Sequence, residues 1–165
     1  MNRLYLVLVL LMSTQCMGQK DFDAKLNSLL SKSVPFIYTN ELTELTENED
    51  EILILDTRSE KEFQVSHIPN AIFIDYEDFS IESIKGYDKK SPVIVYCSVG
   101  YRSEKIGEEL QELGFSDVRN LYGGIFDWKN KGYEVVNNMG KATDSVHTYN
   151  ENWSKWLKEG VKVYE

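Results

Sequence analysis

Nucleophilic chemistry has few places to begin in this chain: its two cysteines stand at positions 16 and 97 and its two histidines at 67 and 147. Cys97 is the best placed of them. It ends the apolar run Ser91-Pro92-Val93-Ile94-Val95-Tyr96 and opens Cys97-Ser98-Val99-Gly100-Tyr101-Arg102-Ser103. The run is β-branched and aromatic without polar alternation, the pattern of a buried parallel strand. Downstream, Ile106, Leu110 and Leu113 recur at helical spacing, Glu104, Glu108 and Glu109 fill the other face, and Gly114 is a C-terminal stop. Strand, tight loop and helix in that order put the loop at the carboxyl end of a sheet and at the positive end of a helix dipole, where unpaired N–H groups point outward. The thiolate is the reactive form of cysteine, and a helix N-terminus or a nearby cation such as Arg102 favours it.

The remaining polar residues are read first as architecture. Asp56 and Arg58 follow the apolar run Ile52-Leu53-Ile54-Leu55, so they lie near the same sheet edge and are expected to organise loops. His67, in His67-Ile68-Pro69, is expected to be a hydrogen-bonded structural residue leading into the strand Ala71-Ile72-Phe73-Ile74, because a thiolate ionised by its own loop needs no base. Gly123-Gly124 predicts a positive-φ turn before a helix in which Trp128 is core. No C-x-x-C or H-x-x-x-H spacing offers a structural zinc site, and no glycine-rich phosphate motif is present. The net charge of −9, from 18 Lys and Arg against 27 Asp and Glu, argues against nucleic acid and anionic membrane surfaces as partners.

Several separated stretches between about Glu51 and Val136 resemble the rhodanese-like domain family: Leu55-Asp56-Thr57-Arg58 with Glu62-Phe63, His67-Ile68-Pro69-Asn70-Ala71, Cys97 to Ser103, and Leu121-Tyr122-Gly123-Gly124 with Trp128. Their order and spacing together carry the likeness. The resemblance implies an α/β fold with a central, mostly parallel sheet and helices on both faces. It also implies that Cys97 accepts a sulfane sulfur from a small donor such as thiosulfate, holds it as a persulfide, and passes it to a thiol or cyanide, with no cofactor. Ser98, Val99, Gly100, Tyr101 and Arg102 would cradle that sulfur, with Ser103, Asp56, Arg58 and His67 as structural neighbours. Phosphatases built on the related fold have one more residue between Cys and Arg. Here four residues separate Cys97 from Arg102, a tighter ring suited to a terminal sulfur better than to a phosphoryl group. A non-catalytic binding or sulfur-delivery module is the alternative, since a fold does not fix a function.

The elements that must position this loop are set within four segments. Residues 1–18 read as an export signal: Met1-Asn2-Arg3 is a short basic start, Leu4 to Met12 an apolar run, and Cys16-Met17-Gly18 supplies small residues before a mature start at Gln19. Nine apolar residues fall well short of the roughly 20 that span a bilayer. The alternative is a lipoprotein anchored through Cys16, although Gln15 departs from the usual lipobox. Residues 19–47 read as a helix marked by Phe22, Leu26, Leu29 and Leu30, a lead-in strand at Phe36-Ile37-Tyr38 and the start of an acidic helix or loop. Residues 48–138 read as the domain that resembles the rhodanese-like family. Residues 139–165 are a C-terminal extension, predicted to be a polar loop to Asn150 and then a short helix placing Trp153, Trp156 and Leu157 on one face.

Overall fold

The computed structural model describes residues 19–48 and 51–164. The segment read as an export signal, Cys16 included, lies outside the described residues. The described residues divide into two compact units, one ending at Leu30 and the other beginning at Ser31. In the first, residues 19–29 form helix α1.

The second unit is built on five strands: β1 (Phe36–Ile37), β2 (Leu53–Asp56), β3 (Ile72–Phe73), β4 (Val93–Tyr96) and β5 (Val118–Leu121). Their spatial order is β1-β5-β4-β2-β3, and every neighbouring pair is parallel. Around the sheet stand α2 (Thr39–Asn48), α3 (Glu60–Val65), α4 (Tyr101–Glu112) and α5 (Gly124–Asn130), with a 3₁₀ turn at Ile81–Ile84. This is the α/β architecture expected, with the acidic stretch after β1 resolved as helix α2.

All four residues of β2 and of β4 are buried, as strands covered on both faces must be. Leu53, Leu55, Val93, Val95 and Val118 share one face and form a cluster with Ile106 and Leu110 of α4, Phe115 and Ile84. That cluster fixes α4 against the sheet and so fixes the loop that enters it. The topology then decides where a site can lie. The chain leaving β2 turns through α3 toward β3, whereas the chain leaving β4 turns through α4 toward β5, on the other side. Two adjacent parallel strands whose connections diverge leave a crevice at their carboxyl ends. Cys97 and Thr57-Arg58-Ser59 stand at the two lips of it.

The C-terminal region departs from its sequence reading. Where a polar loop to Asn150 was expected stand β7 (Ala142–Thr143), paired antiparallel with β6 (Val135–Val136), and β8 (Ser145–His147), paired parallel with β9 (Val161–Val163). Helix α6 covers Glu151–Ser154 alone, so Trp153, Trp156 and Leu157 do not share one helical face. Leu157, past the helix end, is fully buried, while both tryptophans are half-buried. Strands of two or three residues are held by what they pack on, and their sequences carry too few positions to show a period.

Candidate active site

Cys97 follows the last residue of β4 and is 1% exposed. The chain then bends sharply, and Gly100 takes φ 112 at the N-cap of α4. A side chain there would be strained, so glycine is what allows the loop to close after three residues. The bend aims the Gly100 N–H at the Cys97 sulfur, 3.1 Å away. Burial pushes the thiol up, but the Arg102 charge and the N–H groups of Ser103, Val99 and Gly100 outweigh it and hold the thiol below its ordinary value. The loop therefore stabilises an anion on sulfur.

The back of the loop is fastened by α5. The N–H groups of Ile125 and Phe126 donate to the carbonyls of Cys97 and Ser98 at 3.0 and 3.2 Å. With those carbonyls drawn backward, the loop's N–H groups face the sulfur. Gly124, at φ 55, passes so close that a Cβ there would fall 2.2 Å from the Cys97 carbonyl oxygen. Asn120 of β5 completes the frame: its amide donates to the Gly100 carbonyl at 2.9 Å, and its oxygen accepts from the Ser103 hydroxyl at 2.8 Å.

Across the crevice, Glu62 of α3 gathers the site's polar groups. Both of its oxygens accept from Arg102, each at 2.8 Å, one also from the Ser98 hydroxyl at 3.1 Å and the other from the Ser59 N–H at 3.0 Å. Burial opposes its charge, yet Arg102, then Arg58 and the Ser59 N–H, hold its carboxyl down to about 2. The Arg102 guanidinium, raised above its ordinary value despite burial, also donates to the Ser98 hydroxyl at 3.2 Å. The acid beside Arg102 in sequence, Glu104, instead accepts from the N–H groups of Ser31 and Ser33. Arg102 is thus paired across the crevice.

Asp56 and Arg58 form a fully buried ion pair at 2.6 Å, and Arg58 also donates to the Ser66 carbonyl at 2.6 Å. The pair closes the turn from β2 into α3 and so sets where Glu62 begins. Burial first, then the Asp56 carboxylate, pushes the Tyr96 phenol far up, and its oxygen accepts from the Ile68 N–H at 3.1 Å. His67 hydrogen-bonds through Nδ1 to the Phe63 carbonyl at 3.0 Å and stacks on the Phe63 ring at 3.9 Å, while its backbone bridges to Val136. Trp128 is buried, with its indole N–H donating to the Glu134 carbonyl. Val99 is buried, and Tyr101 stands exposed at the head of α4.

The structure brings Cys97, Ser98, Val99, Gly100, Arg102 and Ser103 into one cradle, with Asp56 and Arg58 behind the turn that carries Glu62. Glu62 and Asn120 were not among the site residues expected from the sequence. For Glu62 a signal exists: Ser59-x-x-Glu62 is a capping box, and the structure forms both of its bonds. The box explains the helix start but not the second use of the carboxylate. Nothing local marks Asn120, which acts only because β5 lies beside β4.

The profile of the Rhodanese-like domain family matches residues 39–131. The chain is 37% identical over 89 residues to a protein named thiosulfate sulfurtransferase GlpE of Coxiella burnetii, covering 54% of this chain and 81% of that one. It is 41% identical over 114 residues to a tRNA uridine(34) hydroxylase of Cytophaga hutchinsonii, covering 59% of this chain but only 36% of the hydroxylase. Among solved structures, the BH2092 protein of Bacillus halodurans superposes with a TM-score of 0.58 at 24% identity, over 72% of this chain and 88% of that one, a likeness of fold.

Proposed function

The chain belongs to the rhodanese-like domain family, and from that premise we propose that it is a sulfurtransferase working through a persulfide on Cys97. The observation that carries this reading is the sulfur of Cys97 at the head of α4, faced by loop N–H groups and the Arg102 charge. Such a ring stabilises both a thiolate and the terminal sulfur of a persulfide anion. In the first half-reaction the thiolate attacks the outer sulfur of a sulfane donor. The donor's S–S bond breaks, and the electron pair leaves with sulfite when the donor is thiosulfate. In the second, a thiolate or cyanide attacks the outer sulfur of the persulfide, and the Cys97 thiolate returns. Ser98, Val99, Gly100 and Arg102 bind the transferred sulfur in this reading, with the exposed Tyr101 side chain outside the cradle, Glu62 holds Arg102 and Ser98 in place, and the buried Asp56–Arg58 pair supports the turn. No cofactor enters.

The hydroxylase relative contains a region like this chain within a protein nearly three times the length of the match. The net charge of −9 gives this chain no electrostatic footprint for RNA, so its partners in our reading are a small sulfur donor and a thiol or cyanide acceptor. We further read residues 1–18 as a leader for export. Sequencing of the protein from a secreting host should begin at Gln19, whereas a diacylated Cys16 peptide in membranes would establish the lipoprotein form.

Intact mass spectrometry after exposure to thiosulfate tests the central reading. One added sulfur atom is expected on the parent and none on Cys97→Ser. Transfer by the serine variant at the parent's rate would sink the assignment. A persulfide that forms but passes to neither cyanide nor a small thiol marks the binding or sulfur-delivery module instead of a turning-over enzyme.

A further inference from the structure

The C-terminal extension reaches the catalytic loop. Strand β8 lies against α3, beyond the region shared with the family. The next residue, Thr148, is pinned by its N–H and its hydroxyl, which both donate to the Val163 carbonyl, at 2.7 and 3.3 Å. Tyr149 then takes φ 65. Bulky residues adopt that region only when they are held in it, and such outliers gather at functional sites. What holds Tyr149 is buried His147, whose Nδ1 accepts the Tyr149 N–H at 3.1 Å.

So placed, the phenol ring covers Arg102, with the guanidinium carbon 5.7 Å from the ring centroid. The guanidinium is thereby engaged twice: its N–H groups on Glu62 and Ser98, its charge against the Tyr149 ring. Tyr149 itself remains 57% exposed, and Cys97 is 1% exposed. With Cys97 this buried, a donor brings its reacting sulfur into the loop and keeps the rest outside it, where Arg102, its side chain 20% exposed, and Tyr149 meet solvent.

We propose that Tyr149 is a specificity-determining residue of the Cys97 site, turning it toward sulfur donors that carry one negative charge and an aromatic group and away from small dianions such as thiosulfate. The assignment rests on the sulfurtransferase reading above. A dianion at the mouth meets an arginine already neutralised by a carboxylate and roofed by a ring, so a second charge gains little there. An aromatic group meets an exposed ring on which it can stack offset.

The test compares thiosulfate with benzenethiosulfonate, in which a phenyl group replaces one charged oxygen. The chemistry is the same for both: the thiolate attacks the terminal sulfur, the S–S bond breaks, and the pair departs with sulfite or benzenesulfinate, total charge unchanged. Values of kcat/KM are measured for the full chain, for Tyr149→Ala and for Tyr149→Phe, with cyanide as acceptor. Tyr149→Ala should lower the ratio of benzenethiosulfonate to thiosulfate use by roughly two- to tenfold, and Tyr149→Phe should keep the parent ratio. A role confined to folding would lower both donors together. An unchanged ratio in Tyr149→Ala, with the parent active, overturns the tyrosine assignment alone, as does Tyr149→Phe behaving like Tyr149→Ala. Absence of Cys97-dependent transfer from either donor in the parent removes the sulfurtransferase reading and this assignment together.

Discussion

Cys97 and Glu62 carry opposite tasks through one arginine. Arg102 lowers the Cys97 thiol and the Glu62 carboxyl alike, so removing it frees a buried carboxylate beside the thiolate and raises both. With Arg102→Ala, the pH profile of Cys97 alkylation should move upward, and kcat/KM near neutrality should fall roughly ten- to a hundredfold. A profile that stays in place would show that the N–H groups alone set the thiol. Glu62 also makes a stability prediction with a definite sign. Its folded value of about 2 lies below the ordinary 4.5, so its contribution is complete above the ordinary value and fades as pH falls toward the folded one. Glu62→Gln should cost about 3 kcal/mol in urea melts near pH 7, with the gap to the parent closing between about pH 4.5 and 2. A gap independent of pH would assign Glu62 to packing alone.

At the scale of elements, the loop depends on α5 as much as on α4. Gly124→Ala combines a left-handed φ with a Cβ 2.2 Å from the Cys97 carbonyl oxygen, and the neighbour that must yield is backbone. The variant should lose at least about 2 kcal/mol in chemical denaturation and should slow Cys97 alkylation at neutral pH, because the loop's N–H groups turn away. Unchanged reactivity would detach α5 from the thiolate. The same elements show what was legible beforehand. The two central strands could be read from Ile52 to Leu55 and from Ser91 to Tyr96, because burial on both faces writes a continuous apolar run. Helix α4 could be read from its apolar spacing, and the loop from its place between the two. The partner of Arg102 could not, since Glu62 lies 40 residues away and meets it only where the exits of β2 and β4 diverge. Nor could β7, β8 and β9, whose two or three residues each owe their extended form to a partner strand, β7 to β6 and β8 and β9 to each other, with β8 also packed on α3.

Across the whole molecule, the extension after residue 138 behaves as a support for the site. Val146 and Leu157 are fully buried, and β8 covers α3, the helix that presents Glu62 to Arg102. The Asn130 side chain ties the end of α5 to the extension, donating to the Trp156 carbonyl and accepting from the N–H groups of Lys158 and Glu159. Both helices that set the loop, one across the crevice and one behind it, are therefore braced by residues outside the family region. Burying two aliphatic side chains of this size contributes about 3 to 6 kcal/mol, a large share of the total for a domain of this length. A chain ending at residue 138 should unfold at distinctly lower urea, by at least about 3 kcal/mol, and its remaining folded fraction should show a raised Cys97 thiol because α3 no longer holds Glu62 and Arg102 in register. A truncated chain that melts with the parent and keeps its thiol reactivity would confine the extension to the mouth of the site, where Tyr149 acts on the donor and nothing else.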